Sequence, residues 1–196
     1  MYSGRGENMD NIARKRSNKM SIRVEQINTY LGAEVTGIDL SKDIRNSEIT
    51  KLEKNLSKFG VLVFRDQPLT GDQLMSLGKQ FGQPSVHPFS PNDGKTPALI
   101  LFKNDANTPP WKTDVWHSDE TFRDMPPVMT LLHALDVPKF GGDTVFTSMT
   151  AAFEGLSDKM QHFLSGLEAY HDFSVFKEVF GKTAEGREKL REYEIN

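Results

Sequence analysis

The chain of 196 residues contains no cysteine. That absence excludes disulfides, thiolate zinc sites and iron–sulfur clusters held by cysteine, so His, Asp and Glu remain as the strong side-chain ligands for a metal. The chain also lacks any apolar run near the roughly 20 residues of a membrane-spanning helix, and its N-terminus lacks the apolar core of a signal peptide. We therefore expect a cytoplasmic protein with no membrane partner.

An excess of positive charge is missing as well. The formal net charge is -3 at pH 7 and the isoelectric point is about 6.0, whereas a nucleic-acid-binding domain usually carries a basic patch. We therefore expect no nucleic-acid partner. The hydrophobic share of 37% and the charged share of 26% are typical of one globular domain. Residues 1–20 are polar and are predicted to be a disordered tail, which leaves 21–196 as the folded domain.

Two helices in the first half are predicted from hydrophobic spacing. Apolar residues recur at helical spacing over 46–59, and Gly60 is suited to end that helix. Thr70 and Gln73 have the spacing of a capping box, in which each side chain binds the backbone of the other residue. They predict the start of a second helix, which is expected to end at Gly82.

The second half is predicted to contain more strand. A helix with Ser157 as its N-cap is predicted over 157–167, and another in the charge-rich segment 174–196. Alternating or continuous apolar residues predict short strands at 22–27, 33–40, 61–66, 98–102, 128–135 and 144–149. Because helices do not alternate regularly with strands, we predict an α+β domain with a barrel or sandwich of mainly antiparallel strands.

The stretch "WHSDETF" at 116–122 places His117 and Asp119 two positions apart. In an extended strand these two side chains project from the same face and can reach one ion. A histidine and a carboxylate on one strand, with a second histidine from elsewhere, form the triad that holds Fe(II) in oxygenases. Taken alone, such a pair is more often a surface contact between a histidine and an aspartate than a metal site.

The motifs "GVLVFRDQPLT", "FGQPSVHP", "WHSDETF", "GGDT", "LSGL" and "HDF" occur in this order along the chain. In sequence and spacing they resemble the taurine dioxygenase and 2,4-dichlorophenoxyacetate dioxygenase family of iron(II)- and 2-oxoglutarate-dependent oxygenases. The resemblance covers most of 21–173. It implies a double-stranded β-helix, a jelly-roll or cupin-like fold, with flanking helices.

The resemblance also implies roles for four residues. His117 and Asp119 become ligands of Fe(II), and Thr144 becomes a hydroxyl donor to the 2-oxoglutarate cosubstrate after a tight turn at Gly141 and Gly142. His87 matches a histidine that contacts the anionic head group of the substrate. The alternative for Thr144 is a β-branched strand residue, and the alternative for His87 is a loop histidine without a ligand.

The activity implied by the resemblance is hydroxylation of a small anionic substrate with dioxygen and 2-oxoglutarate. Taurine, another alkylsulfonate or an alkyl sulfate ester would yield succinate, CO2, an aldehyde and sulfite or sulfate. Ser90 and Thr113 stand where the family's taurine enzyme has an aromatic residue and an asparagine, which argues against taurine itself. Two alternatives remain: an oxygenase of aryloxyalkanoates or other carboxylates, and a non-catalytic binding or assembly module.

Two functional residues of the family have no match. The second iron-binding histidine and the arginine that binds the far carboxylate of 2-oxoglutarate belong to C-terminal strands that we expect to be missing from this chain, which ends at Asn196. His133, His162 and His171 do not match the missing ligand. We therefore expect an N-terminal portion of a dioxygenase domain that self-associates or is marginally stable, and that is weak in catalysis by itself.

Overall fold

The computed structural model describes residues 21–88, 95–103, 115–172 and 177–192. The predicted disordered tail, 1–20, lies outside the described residues. Within the described ranges lie three strands and six helices. In chain order they are β1 (Arg23–Gln26), β2 (Ala33–Thr36), α1 (Asn46–Phe59), β3 (Leu62–Val63), α2 (Gly71–Phe81), α3 (Met149–Glu154), α4 (Asp158–Leu164), α5 (Lys177–Phe180) and α6 (Ala184–Glu192).

The chain divides into two compact units. Unit 1 comprises the described residues up to Pro68 together with Phe146–Ser148, and unit 2 comprises Leu69–Val145 and the described residues from Met149 onward. Unit 1 contains a three-stranded sheet in the order β1-β2-β3, in which β1 and β2 are antiparallel and β2 and β3 are parallel. The mixture of helix and sheet agrees with the predicted α+β class.

Unit 1 has its own buried apolar side chains. Ala33 and Val35 on β2 are buried, as is Leu52 on α1. Burying a leucine side chain contributes about 1.5–3 kcal/mol, so the burial of Leu52 stabilises α1 within unit 1. Helix α1 ends at Gly60, whose φ of 70° lies in the left-handed region that glycine adopts easily. The predicted end of this helix is confirmed.

Two helices of unit 2, α2 and α4, begin at the predicted caps. Thr70 Oγ1 accepts a hydrogen bond from the Gln73 N–H at 3.2 Å, and Gln73 Oε1 accepts one from the Thr70 N–H at 2.9 Å. The capping box of α2 is thus confirmed. Ser157 caps α4 in the same way, because its side chain accepts from the N–H of Met160.

Three strand predictions are wrong. The described residues at 98–102, 128–135 and 144–148 form no strand, and Met149 already begins α3. A strand exists only where its backbone N–H and C=O groups bond to a neighbouring strand. Among the described residues these segments have no such neighbour, so their apolar sequences remain extended or irregular. β3 also covers two residues instead of the six predicted at 61–66.

Large apolar side chains are therefore exposed along the middle of unit 2. Met125, Val128 and Phe140 are 84–87% exposed, and Leu132 and Leu135 are 64% and 69% exposed. Apolar surface of this extent on a folded chain usually marks a contact with further protein. None of the described helices is both long enough and apolar enough to cross a membrane.

Candidate metal and substrate site

His117 and Asp119 lie side by side in unit 2. His117 Nε2 is 3.4 Å from Asp119 Oδ1, and the two side chains are 53% and 51% exposed. Two ligand atoms that each lie about 2.1 Å from one metal ion are about 3.0–3.4 Å apart at bond angles between a right angle and a tetrahedral angle. The pair therefore has the separation that a shared metal ion requires, and its outer side is open to further ligands.

A hydrogen bond at Nδ1 of His117 determines which ring nitrogen faces Asp119. His117 Nδ1 lies 2.8 Å from the carbonyl oxygen of Val115. A carbonyl oxygen only accepts hydrogen bonds, so Nδ1 carries a proton, and in the neutral ring Nε2 is then the nitrogen with the lone pair. A hydrogen bond of this kind orients the imidazole and fixes the tautomer that metal ligation needs. The donor set thus fits a divalent metal.

The two oxygens of Asp119 have different partners. Thr130 Oγ1 donates a hydrogen bond of 2.7 Å to Oδ2, while Oδ1 faces His117. The hydroxyl therefore holds one oxygen and leaves the other turned toward the shared position. Sequence reasoning missed Thr130, because it lies eleven positions from Asp119 in a segment interpreted only as an apolar strand.

His87 is half-buried near this pair. Its ring meets the Phe122 ring edge to face, with 6.3 Å between centroids and 90° between planes. Burial is the main cause that lowers the pKa of His87, and Arg123 lowers it further, whereas Glu120 and Asp119 raise it. The net shift is downward, so the neutral imidazole is favoured and offers one N–H donor instead of a full positive charge.

Glu120 and Arg123 form an ion pair next to His87. Their side chains are only 12% and 23% exposed, and Arg123 Nε donates to Glu120 Oε2. The pair also reaches the residues just before His87, because Ser85 donates to Glu120 and Arg123 donates to the Val86 carbonyl. In sequence, Glu120 and Arg123 read as ordinary surface charges three positions apart, so nothing marked them for the site.

Thr144 follows the predicted tight turn. Gly141 and Gly142 have φ values of 76° and 72°, in the left-handed region that favours glycine, and the chain bends at 139–141. Thr144 itself is exposed, and within the described ranges no hydrogen bond joins it to His117 or Asp119. Its role in cosubstrate binding stays a prediction.

The described residues contain no group of three or more His, Asp and Glu side chains that could hold a metal. His171 Nδ1 lies 2.9 Å from Thr121 Oγ1, so this histidine contacts the segment that follows His117 and Asp119.

Comparison with known families gives one match that covers most of the chain. The model of the "Taurine catabolism dioxygenase TauD, TfdA family" matches residues 23–194. The match contains all of the segments that carry the candidate site.

Individual relatives agree with the family match. An alkylsulfatase from Acinetobacter baylyi is 30% identical over 151 residues, which cover 76% of this chain and 47% of the relative. An alpha-ketoglutarate-dependent 2,4-dichlorophenoxyacetate dioxygenase from Cupriavidus pinatubonensis is 31% identical over 174 residues, or 78% of this chain and 58% of the relative. The chain thus spans about half the length of these curated relatives.

A solved structure gives the same result at the level of the fold. The crystal structure of AAD-2 in complex with Mn(II) and N-oxalylglycine superposes with a TM-score of 0.59 at 30% identity, over 74% of this chain and 54% of that chain. The described backbone is therefore similar to part of a protein whose structure contains a divalent metal and a small dicarboxylate.

Proposed function

The chain belongs to the taurine catabolism dioxygenase TauD, TfdA family, and we propose that it supplies two Fe(II) ligands of a 2-oxoglutarate-dependent dioxygenase. The observation that supports this most strongly is the 3.4 Å separation of His117 Nε2 and Asp119 Oδ1. The Mn(II) and N-oxalylglycine in the AAD-2 structure support the same choice of metal and cosubstrate, because N-oxalylglycine is an isosteric analogue of 2-oxoglutarate. The proposed fold of the complete domain is the double-stranded β-helix.

When bound, Fe(II) and 2-oxoglutarate would activate dioxygen, so that one oxygen atom hydroxylates the substrate and the other enters succinate as CO2 is released. The residues of this chain bind and orient. His117 offers a neutral nitrogen lone pair, and the Asp119 carboxylate neutralises part of the metal charge while Thr130 holds its second oxygen. We place Thr144 at the 2-oxoglutarate carboxylate, to which its hydroxyl would donate a hydrogen bond.

The proposed substrate is a small alkyl sulfate ester or alkylsulfonate. His87 supports an anionic head group, because a half-buried neutral imidazole has an N–H to donate and no negative charge to repel the ligand. Hydroxylation of the carbon next to the sulfate oxygen or the sulfonate sulfur gives a product that breaks down to an aldehyde and sulfate or sulfite. The similarity to an alkylsulfatase favours the sulfate ester.

An aryloxyalkanoate is the alternative substrate within the same chemistry. The similarity to a 2,4-dichlorophenoxyacetate dioxygenase, at 31% identity, favours it to the same degree as the sulfate ester. A carboxylate head group would accept the same hydrogen bond from His87. Shape and chain length of the apolar part, not the charge, would then distinguish the two substrate classes.

A non-catalytic binding module is the candidate of a different class. It is favoured by the observation that no three metal-ligating side chains converge among the residues that the structure describes. Such a module would bind the metal weakly through the His117–Asp119 pair, or not at all, and would show no turnover of 2-oxoglutarate.

The test is an assay of 2-oxoglutarate turnover with Fe(II), in which hexyl sulfate, taurine and 2,4-dichlorophenoxyacetate are compared. Succinate and the released sulfate, sulfite or phenol are measured in each case. Succinate formation stimulated by hexyl sulfate and abolished in Asp119→Ala would support the proposal. Stimulation by the aryloxyacetate alone would replace the sulfate ester by an aryloxyalkanoate as the proposed substrate. Failure of the chain both to bind Fe(II) and to form succinate would favour the binding module.

A further inference from the structure

The segment that carries His87 is joined to the metal-binding segment by a polar cluster centred on Glu120. Ser85 Oγ donates to the Glu120 carboxylate at 3.1 Å, and Arg123 Nε donates to the same carboxylate. Arg123 also donates from Nη2 to the Val86 carbonyl oxygen at 2.9 Å. Two hydrogen bonds, from Ser85 to Glu120 and from Arg123 to Val86, therefore join these segments, and the Arg123–Glu120 pair links the two charged groups that make them.

The backbone of Glu120 adopts a conformation that few side chains tolerate. Its φ is 48°, in the left-handed region, where a residue with a Cβ atom pays a steric cost. Such a conformation persists when the surrounding contacts outweigh the cost, and it is frequent at functional sites. The turn comes directly after Asp119. It is closed by a backbone hydrogen bond of 3.1 Å from the Arg123 N–H to the Glu120 carbonyl, and the side-chain bonds with Ser85 and Arg123 hold the Glu120 carboxylate in place.

We propose that the Glu120–Arg123 ion pair is a clamp that fixes the position of His87 beside the proposed metal ligands. The inference rests on the proposed function, since it concerns the residue that would receive the substrate head group. Neither clamp residue needs to touch the substrate, so both are positioning residues. Because Phe122 lies between them in sequence and packs against the His87 ring, the clamp and the ring contact act on the same segment.

Arginine is suited to this task in a way that lysine is not. The planar guanidinium donates from two nitrogens at fixed angles, which allows Arg123 to bond Glu120 and the Val86 carbonyl together. A lysine ammonium would keep the charge but would lack this fixed two-point geometry. Arg123→Lys therefore separates the clamp from a purely electrostatic effect of the positive charge on His87.

The test measures how fast diethyl pyrocarbonate modifies His87 in the full chain, resolved from the other histidines by peptide mass spectrometry. The wild-type chain is compared with Glu120→Gln and Arg123→Lys. Loss of a hydrogen bond to a charged group shifts a local opening equilibrium about tenfold. We expect His87 to react about tenfold faster in both variants, with no change at His162.

A matched control is available in α6. Glu188→Gln breaks a Glu–Arg pair with the same three-residue spacing, but one whose side chains are 70–71% exposed. We expect this variant to leave the reactivity of His87 at the wild-type level. If every histidine is modified faster in Glu120→Gln, that variant has unfolded. The rate at His87 in Arg123→Lys, which retains the positive charge, then supports or overturns the clamp.

Affinity for a ligand distinguishes positioning from a general structural role. In the presence of Mn(II) and N-oxalylglycine, we expect hexyl sulfate to bind about tenfold more weakly to both clamp variants, while Mn(II) binding is retained. Equal reactivity of His87 in the wild type and both variants would overturn the clamp, as would unchanged hexyl sulfate affinity with accelerated modification. A wild-type chain that fails to bind Mn(II) would instead overturn the proposed function. The rates at which His87 is modified in the wild type and the two variants would still test the clamp.

Discussion

At the scale of single residues, the candidate site depends on hydrogen bonds that each leave one atom available for a ligand. Val115 occupies the His117 nitrogen that a metal would not use, and Thr130 occupies one of the two Asp119 oxygens. The remaining nitrogen and oxygen face each other at 3.4 Å. The local structure therefore prepares the pair for a shared ion, and each of these hydrogen bonds can be tested separately.

Thr130→Val removes the donor to Asp119 and keeps the shape of the side chain. We expect Mn(II) affinity to fall about tenfold, because loss of a hydrogen bond to a ligating carboxylate typically weakens metal binding by that order. Thr130→Ser should retain the affinity, and Thr50→Val, on the exposed side of α1, is the control. The Mn(II) affinity of each variant is measured by electron paramagnetic resonance titration, which follows free Mn(II). Equal affinities of the Val and Ser variants would refute this role of Thr130.

The lowered pKa of His87 predicts a pH dependence of stability. Because the folded chain disfavours protonation relative to the ordinary value of 6.5, the unfolded chain binds the proton more readily as the pH falls below that value. His87 therefore destabilises the fold progressively from about pH 6.5 downward, until the folded-state pKa is passed. Urea unfolding at pH 7.5 and 5.5 should show a larger loss for the wild type than for His87→Gln. A larger loss in the variant would contradict the direction of the shift.

At the scale of elements, the capped helices α1, α2 and α4 were predictable from the sequence, whereas three of the six predicted strands are absent from the described residues. The capping box at Thr70 and the glycine at position 60 act through neighbours in sequence, so their signals appear in the sequence itself. The apolar segment 128–135 can form a strand only beside a partner strand from elsewhere, and its own sequence does not indicate whether that partner is present. The same distinction holds in the site, where the spacing of His117 and Asp119 is local, whereas the contacts of Thr130 and Ser85 are not.

The capping box of α2 gives a prediction for element stability. Thr70→Ala removes the acceptor for the Gln73 N–H and leaves that donor without its partner. We expect the free energy of unfolding to fall by about 1 kcal/mol, the usual cost of losing such a cap. Thr70→Ser keeps the hydroxyl and serves as the matched control. Urea unfolding followed by circular dichroism measures the difference, and an Ala variant as stable as the Ser variant would argue against the cap.

At the scale of the whole molecule, the described part of the chain exposes many large apolar side chains. The exposed residues of 125–140 include Val128, Leu132 and Leu135, at 86%, 64% and 69%. The chain also spans about half the length of its curated relatives. Together, these facts predict that the isolated chain covers the surface by self-association.

Sedimentation velocity over a range of concentrations tests this prediction. We expect the wild type to sediment faster as its concentration rises, and Leu132→Lys to reduce the effect by placing a charge on the apolar surface. Tyr30→Lys replaces a 74% exposed aromatic residue in unit 1 and should leave the association unchanged. A wild-type chain that remains monomeric throughout and melts cooperatively would contradict the prediction.

The central claim is that His117 and Asp119 bind a metal together with 2-oxoglutarate. The most direct measurement is the visible charge-transfer absorption on anaerobic addition of Fe(II) and 2-oxoglutarate, recorded for the wild type, His117→Ala and the control His162→Ala. The account predicts a band in the wild type and in His162→Ala that is absent from His117→Ala. A band that survives unchanged in His117→Ala, or its absence from all three proteins, would contradict the claim.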